Sequence, residues 1–308
     1  MEYKKIKILG KGSFGSVFLV RDNFQNNFAL KVLENNELNI LSFNNEVKFL
    51  NLLKNKNIVS INSAFKTRST LNIVMEYINN GDLKNRIRLC RTNKKTFSDS
   101  EIKKIILSIS NGINHLHLNN IIHRDLKPAN ILISKNNEYK IADFGISRLV
   151  NKDEWVMTNI GTPYYMAPEV FNFSGYTNSV DYWALGIILY ELLVLKVPFT
   201  ATNLKILQEK ISKEYYSMNK VKISFRDIVK NLINVDKNNR YNYSDIIKFF
   251  NKKDEKEREV KLTLPKINNI YSRKQNYENL SLKPRIRLRD KSMIRLIEFY
   301  NNRKPFPY

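Results

Sequence analysis

Between Ile121 and Asn130 the chain reads "IIHRDLKPAN", gathering His123, Arg124, Asp125, Lys127 and Asn130 behind two isoleucines. Cations, a carboxylate and an amide at such short range suit chemistry on a polyanion. The cations neutralise it, the oxygen donors can hold a metal, and a fixed backbone positions both. "LGKGSFGSV", Leu9–Val17, sets Gly10, Gly12 and Gly15 between strand-like segments, where missing side chains let backbone N–H groups close over phosphates. The residues after Gly15 are β-type, which argues against the helix-opening glycine motif of dinucleotide binding; a plain hairpin turn is an equal reading. In "FALKVL" the two-residue strand period puts Ala29 and Lys31 on one face and Phe28, Leu30 and Val32 on the other. Lys31 is then either a phosphate contact, beside a small residue that leaves room for a flat base, or an ordinary exposed strand lysine. His115 and His117 sit on a helical pattern and read as structural.

The elements that must hold these residues follow from periodicity. "KIKIL", "SVFLV" and "FALKVL" predict an antiparallel meander from Tyr3 to Val32. At "NNEVKFLNLLKN" the period turns helical and puts Glu46, Leu50 and Leu53 on one face. Two more strands are expected in "IVSINSAF" and "LNIVMEYI", and then helices in "DSEIKKIILSISNGINHLHL", "SVDYWALGIILYELLVL" and "SFRDIVKNLIN". The chain thus reads as an α+β protein, a small antiparallel β-rich lobe with one helix followed by a larger, mainly helical lobe. The expected boundaries are a domain over 1–250, with lobes at about 1–76 and 80–250, and a basic tail over 251–308. The tail holds 16 Lys and Arg against 7 Asp and Glu and begins as a charged stretch without apolar period, read as a linker. Within it "DKSMIRLIEFY" would align Ile294 and Ile297 on a short helix over 291–300, capped by Asp290; a disordered tail is an equal reading. No internal repeat is present.

Composition narrows the function classes. With 43% hydrophobic residues, 11% aromatics and 308 residues, the chain can bury a large core. Cys90 alone cannot form an internal disulfide framework, and "MEYKKIKILG" lacks a signal-peptide h-region, so an intracellular location, cytoplasmic or nuclear, is expected. "WALGIILYELLVL" contains Glu191 and is too short for a bilayer span, so it reads as a buried helix. The net charge of +23 raises nucleic acid or an anionic membrane as partners. The basic residues are scattered, however, with no recognition motif among them and with abundant Asn and Ile around them. A solvated basic surface is the preferred reading, and no specific nucleic-acid or membrane partner is expected.

"HRDLKPAN", "KIADFGISR" and "GTPYYMAPE", following the glycine-rich turn and "FALKVL" in one order, resemble a eukaryotic protein kinase over about residues 3–250. The resemblance implies ATP and Mg²⁺ as cofactors and protein substrates as partners, and leaves the oligomeric state open. It implies Asp125 as catalytic base, Lys127 on the γ-phosphate, and Asn130 and Asp143 as the Mg²⁺ ligands. Lys31 would hold the α and β phosphates while paired with Glu46. Leu9, Gly10, Lys11, Gly12, Ser13, Phe14, Gly15, Ser16 and Val17 would cover the nucleotide. Val17, Ala29 and Leu132 would sandwich the adenine, the backbones of Glu76 and Ile78 after Met75 would read its edge, and Asp82 would meet the ribose. For the apolar members of this set, core packing is an equally good reading of the residues themselves. Leu50, His123 and Phe144 match the stack of side chains that links the lobes.

Lys127 two residues after Asp125, together with Thr162, looks like a Ser/Thr kinase, and several fragments are similar to the NIMA-related group. Thr158, three residues before Gly161, matches the site of an activating phosphate, which Arg124 and Arg148 would bind. Thr162 would bond Asp125 and Lys127. Ala129 stands where many arginine-selecting kinases carry Glu, which points to acidic or neutral substrates. Tyr241 replaces a common proline after Arg240, whose expected partner is Glu169. A scaffold without activity and a small-molecule phosphotransferase are the competing function classes.

Overall fold

The computed structural model describes residues 2–12, 15–143, 163–171, 177–214 and 216–263, without the side chains of a few of these, Leu50 among them. Ser13, Phe14, Phe144, Arg148, Thr158, Thr162 and the 291–300 segment lie outside the described residues. The chain divides into two units, Met1–Asp254 and Glu255–Tyr308.

The first unit opens with five antiparallel strands, β1 (Lys4–Gly12), β2 (Gly15–Arg21), β3 (Asn27–Glu34), β4 (Ile61–Lys66) and β5 (Thr70–Glu76), in the order β1-β2-β3-β5-β4. Helix α1 (Glu37–Leu52) joins β3 to β4. Register fixes the faces. Lys31 lies opposite Val17 and Ile73, and Ala29 opposite Leu19 and Met75, so the alternation expected for "FALKVL" is present. On the opposite face Leu30 and Val74 are paired and, with Val20, form a small cluster covered by Tyr3, Phe18 and Phe28.

At the β1–β2 hairpin Gly15 has φ 138°, and a Cβ there would come within 2.1 Å of the Val32 carbonyl oxygen. Only glycine fits that approach. Gly15→Ala is therefore expected to destabilise the protein by about 2 kcal/mol, read as an earlier urea midpoint.

The helical lobe contains α2 (Leu83–Thr92), α3 (Asp99–Leu118), α4 (Pro168–Phe171), α5 (Ser179–Val194), α6 (Leu204–Ser212), α7 (Ile223–Leu232) and α8 (Tyr243–Thr263). A two-stranded ribbon, β6 (Ile131–Ile133) with β7 (Tyr139–Ile141), lies between α3 and α4 in sequence. Ser98 caps α3, its Oγ accepting from Glu101 N at 3.2 Å. α5 is buried from Val180 to Leu192, which accounts for its nearly continuous apolar sequence. It meets α7 so closely that a Cβ on Gly186 would stand 2.7 Å from Leu232 Cβ. No helix among the described residues is long and apolar enough to cross a membrane.

One sequence expectation needs revision. The linker expected to begin at 251 is helical as far as Thr263. Ile246 and Phe250 bury the start of α8, and Lys103–Asp254 and Lys253–Asp99 ion pairs hold its middle. Once such a helix is nucleated, Lys and Glu extend it cheaply even without an apolar face. Asn57–Val59, within the range assigned to the small lobe, bonds instead to β7: Val59 N donates to Ile141 O at 2.9 Å and Ile141 N to Asn57 O at 2.8 Å.

Candidate active site

Three elements bring Lys31, Glu46 and Asp143 together. Lys31 projects from the centre of β3, and its Nζ donates to both Glu46 oxygens at 2.8 and 3.0 Å and to Asp143 Oδ1 at 3.0 Å. Glu46 comes from the middle of α1, and Asp143 follows β7. Burial alone would lower the Lys31 pKa, but the Glu46 and Asp143 charges outweigh it and hold the ammonium well above its usual range. Burial raises Glu46 against the pull of Lys31. Lys31 holds Asp143 below the usual carboxylate range, against the effect of burial. The result is a charged ammonium between one enclosed carboxylate and one, Asp143, whose side chain is 60% exposed and open to a ligand.

The second group stands on the loop after α3. Lys127 Nζ donates to Asp125 Oδ2 at 2.7 Å, and Asn130 Nδ2 donates to the Asp125 carbonyl at 2.8 Å. The Asn130 amide nitrogen is thereby committed, leaving its oxygen as the ligating atom. His123 is fully buried and joins this loop to the strand before Asp143, its Nε2 lying 3.2 Å from Ala142 O. Arg124 and Asp143 both take left-handed backbones, with φ of 65° and 56°. Such conformations cost free energy and persist where surrounding bonds impose them.

The bonds at Arg124 come from a residue that sequence reasoning missed. Asp181, at the start of α5 and 1% exposed, accepts from the backbone N–H groups of His123 and Arg124, each at 2.9 Å. His117 Nε2 adds a third contact at 2.8 Å, in keeping with a structural role for that histidine. Burial works against the Asp181 charge, yet the His117 and His123 contacts lower its pKa below the ordinary value. A carboxylate with a depressed folded pKa stabilises the fold above its unfolded pKa and loses that contribution as pH falls through the folded value. The available signal was a lone Asp at the head of an otherwise apolar run.

The remaining sequence candidates are placed by the strands. Val17, Ala29, Lys31 and Met75 share one face of the sheet through the register given above, and Leu132 lies in β6. Leu9, Gly10, Lys11 and Gly12 run along β1, and Ser16 opposes Lys11. Glu76 ends β5, and its N–H is taken by Ser60 O at 3.0 Å. Ile78 follows two residues on. Asp82 is the N-cap of α2, accepting from Asn85 N at 2.7 Å and Asn85 Nδ2 at 2.9 Å; each oxygen keeps a further lone pair. Sequence reasoning also missed Lys140, whose Nζ donates to Glu76 Oε1 at 2.8 Å beneath the β5 end.

Below this loop the segment from Pro163 leads into α4. Glu169 binds Arg240 through both oxygens, at 2.7 and 3.1 Å, as expected from the sequence. Tyr241 replaces the common proline without loss, because its N–H, which proline would lack, donates to Asn231 O at 3.1 Å. Tyr165 OH donates to Glu191 Oε2 at 2.6 Å. Burial and the Glu191 charge push the Tyr165 pKa far up, so its hydroxyl remains a donor.

A sheet-and-helix lobe over a helical lobe, with a lysine, an α1 glutamate and two aspartates facing one cleft, defines a phosphotransferase-type site. The family model of the protein kinase domain matches residues 3–250, and the chain belongs to that family. It is 36% identical over 261 residues to the probable serine/threonine-protein kinase nek3 of Dictyostelium discoideum, covering 80% of this chain and 23% of that protein. It is 38% identical over 226 residues to human serine/threonine-protein kinase Nek5, covering 70% of this chain and 31% of that one. These names agree with the NIMA-related resemblance. The chain spans less than a third of the length of either relative. Among solved structures, Rad53 1–466 in complex with AMP-PNP superposes with a TM-score of 0.68 at 26% identity, covering 79% of this chain and 63% of that one.

Proposed function

We propose that the protein transfers the γ-phosphate of ATP to Ser or Thr hydroxyls of protein substrates, within a kinase domain over 1–250 followed by a basic tail. The observation that carries this reading is the Lys31 bridge to Glu46 and Asp143, with Lys127, which holds Asp125, also acting on the Asp143 charge. Lys31 would hold the α and β phosphates, with Glu46 keeping its ammonium in place. Asp125 would orient the substrate hydroxyl and accept its proton, while Lys127 steadies the γ-phosphate and Thr162 bonds both. Val17, Ala29 and Leu132 would enclose the base, and the Glu76 carbonyl with the Ile78 backbone would recognise its edge.

The donor set fits Mg²⁺, because the Asn130 oxygen and the ionised Asp143 are hard oxygen ligands that leave room for waters and phosphate oxygens. Bound there, the metal would neutralise charge that develops on the phosphates. Incubation with labelled ATP and a mixed protein substrate tests the reading. Label on Ser and Thr of protein supports it, label on small molecules alone favours the phosphotransferase, and no label favours the scaffold.

Phosphorylation of Thr158 would activate the enzyme: by the kinase resemblance Arg124 and Arg148 would converge on that position, where a charge near −2 could form one to three charge-assisted hydrogen bonds. Thr158→Ala is expected to lower turnover by about tenfold with ATP binding unchanged. Phosphatase treatment of the wild type should do the same. An unmodified Thr158 in active enzyme, together with a fully active Ala variant, would refute the switch.

A further inference from the structure

The chain carries two Asn-Gly pairs, Asn80–Gly81 and Asn111–Gly112. In this dipeptide the missing glycine side chain leaves the main-chain nitrogen open to the carbonyl carbon of the asparagine amide. The fold treats the two pairs differently. Gly112 is buried inside α3, where a Cβ would meet Ile141 Cδ1 at 2.7 Å, and Asn111 Nδ2 donates to Asn57 Oδ1 at 2.8 Å. Its N–H belongs to the helix ladder. Asn80 and Gly81 are both exposed, in the connection between β5 and α2. Gly81 takes φ 75°, and a Cβ built on it would have no heavy atom beyond its chain neighbours within 4 Å. Among the described residues the Asn80 side-chain amide has one contact, from Nδ2 to Ser134 O at 3.5 Å, and no acceptor holds the Gly81 N–H. The first contact is at the outer limit of a hydrogen bond.

We propose that Asn80 is a deamidation site and that its isoaspartyl form lowers the affinity for ATP. Base removes the Gly81 amide proton, and that nitrogen attacks Asn80 Cγ. The N–Cγ bond forms, Cγ–Nδ2 breaks, and ammonia leaves with a proton taken from water. Water then adds to either carbonyl of the cyclic imide. Cleavage of N–Cγ gives aspartate, and cleavage of the bond from that nitrogen to the Asn80 main-chain carbonyl carbon gives isoaspartate. No oxidant or reductant takes part. Isoaspartate routes the main chain through Cβ and so lengthens it by one methylene, between two bonds to a single residue: Asn80 N donates to Ile133 O at 3.1 Å, and Ile133 N donates to Gly81 O at 2.9 Å. A longer path between them cannot keep both. Beside them Asp82 and Leu132 form a β-bridge. Those two residues are the ones read as meeting ribose and base, so the effect on ATP rests on the proposed nucleotide site, whereas the modification itself does not.

For the test the whole protein is aged in warm, mildly alkaline buffer. Samples are taken for peptide mapping by mass spectrometry, for isoaspartate by enzymatic methylation, and for binding of a fluorescent ATP analogue. Loss of the amide should run at least about tenfold faster at Asn80 than at Asn111, because the buried helical pair must open before it can react. Affinity for the analogue should fall by about tenfold in the isoaspartyl fraction, since the residues around the nucleotide are displaced. Asn80→Ser removes only an exposed side chain and has no amide to lose, so it should keep its affinity through the same treatment. An intact Asn80 amide after ageing, or equal rates at the two pairs, overturns the site. Isoaspartate with unchanged affinity, or an equal decline in Asn80→Ser, overturns the effect on ATP. If fresh protein does not bind the analogue, the nucleotide reading and the effect on ATP fail together, and the peptide map alone decides the site.

Discussion

Asp143→Asn is expected to reduce phosphate transfer by about a hundredfold or more while the protein stays folded. Asn preserves the shape and one oxygen, but removes the charge that Lys31 draws below the usual carboxylate range. Lys31 keeps both Glu46 contacts, so no buried ammonium is left without a counter-ion. The side chain is 60% exposed, so its loss opens no cavity in the core. Transfer of labelled phosphate and a thermal melt measured on the same preparation provide the check. Near-normal turnover would remove Asp143 from the reacting site, and a collapsed melt would mean that its role is structural.

Arg240→Ala should have the largest effect on stability. The Arg240 side chain is fully buried, binds both Glu169 oxygens, donates to Ser179 O at 3.0 Å and Asn234 O at 2.9 Å, and stacks 5.1 Å from the Trp183 ring. Removing it takes the guanidinium away from an enclosed carboxylate and from the Ser179 and Asn234 carbonyls. Breaking one side of such a pair costs about 3–5 kcal/mol, which lowers the melting temperature by on the order of 10 °C in a domain of this size. Replacing Glu169 by Leu in the same chain should recover part of the loss, because the enclosed charge is then gone. A shift of only a degree or two in the single variant would show that the pair contributes little.

Much of this was legible in the sequence because several elements carry two agreeing signals. α3 spans the stretch read as helical, since Ser98 marks its start and Ile102, Ile105, Ile106, Ile109 and Ile113 recur at helical spacing. The β3 alternation put Lys31 on the face it occupies, and the kinase resemblance paired it with Glu46, as the contact at 2.8 Å shows. α2 was missed for the converse reason. Its sequence is strongly basic, and only Leu83 and Ile87 are buried, so periodicity had little to register. Asp181 and Lys140 were missed because their partners lie far away in sequence: backbone N–H groups for one, Glu76 for the other. Local pattern reveals which face is apolar, but not which distant polar group needs a partner.

The attachment of Asn57–Val59 to β7 bears on how the sheet can move. Asn57 Nδ2 also donates to Tyr139 O at 2.9 Å, and Asn111 of α3 bonds Asn57 Oδ1 at 2.8 Å, which ties this stretch firmly to the helical lobe. The chain therefore passes between the lobes at two separated places, between α1 and β4 and again after β5. A door hung at two points swings about the line through them and has one rotational degree of freedom, whereas a single strand of linker would allow rotation about every axis. Two attachments separated along the chain therefore limit the directions in which the sheet can turn against the helical lobe, and Ser60 N donating to Glu76 Oε1 ties the two attachment points together.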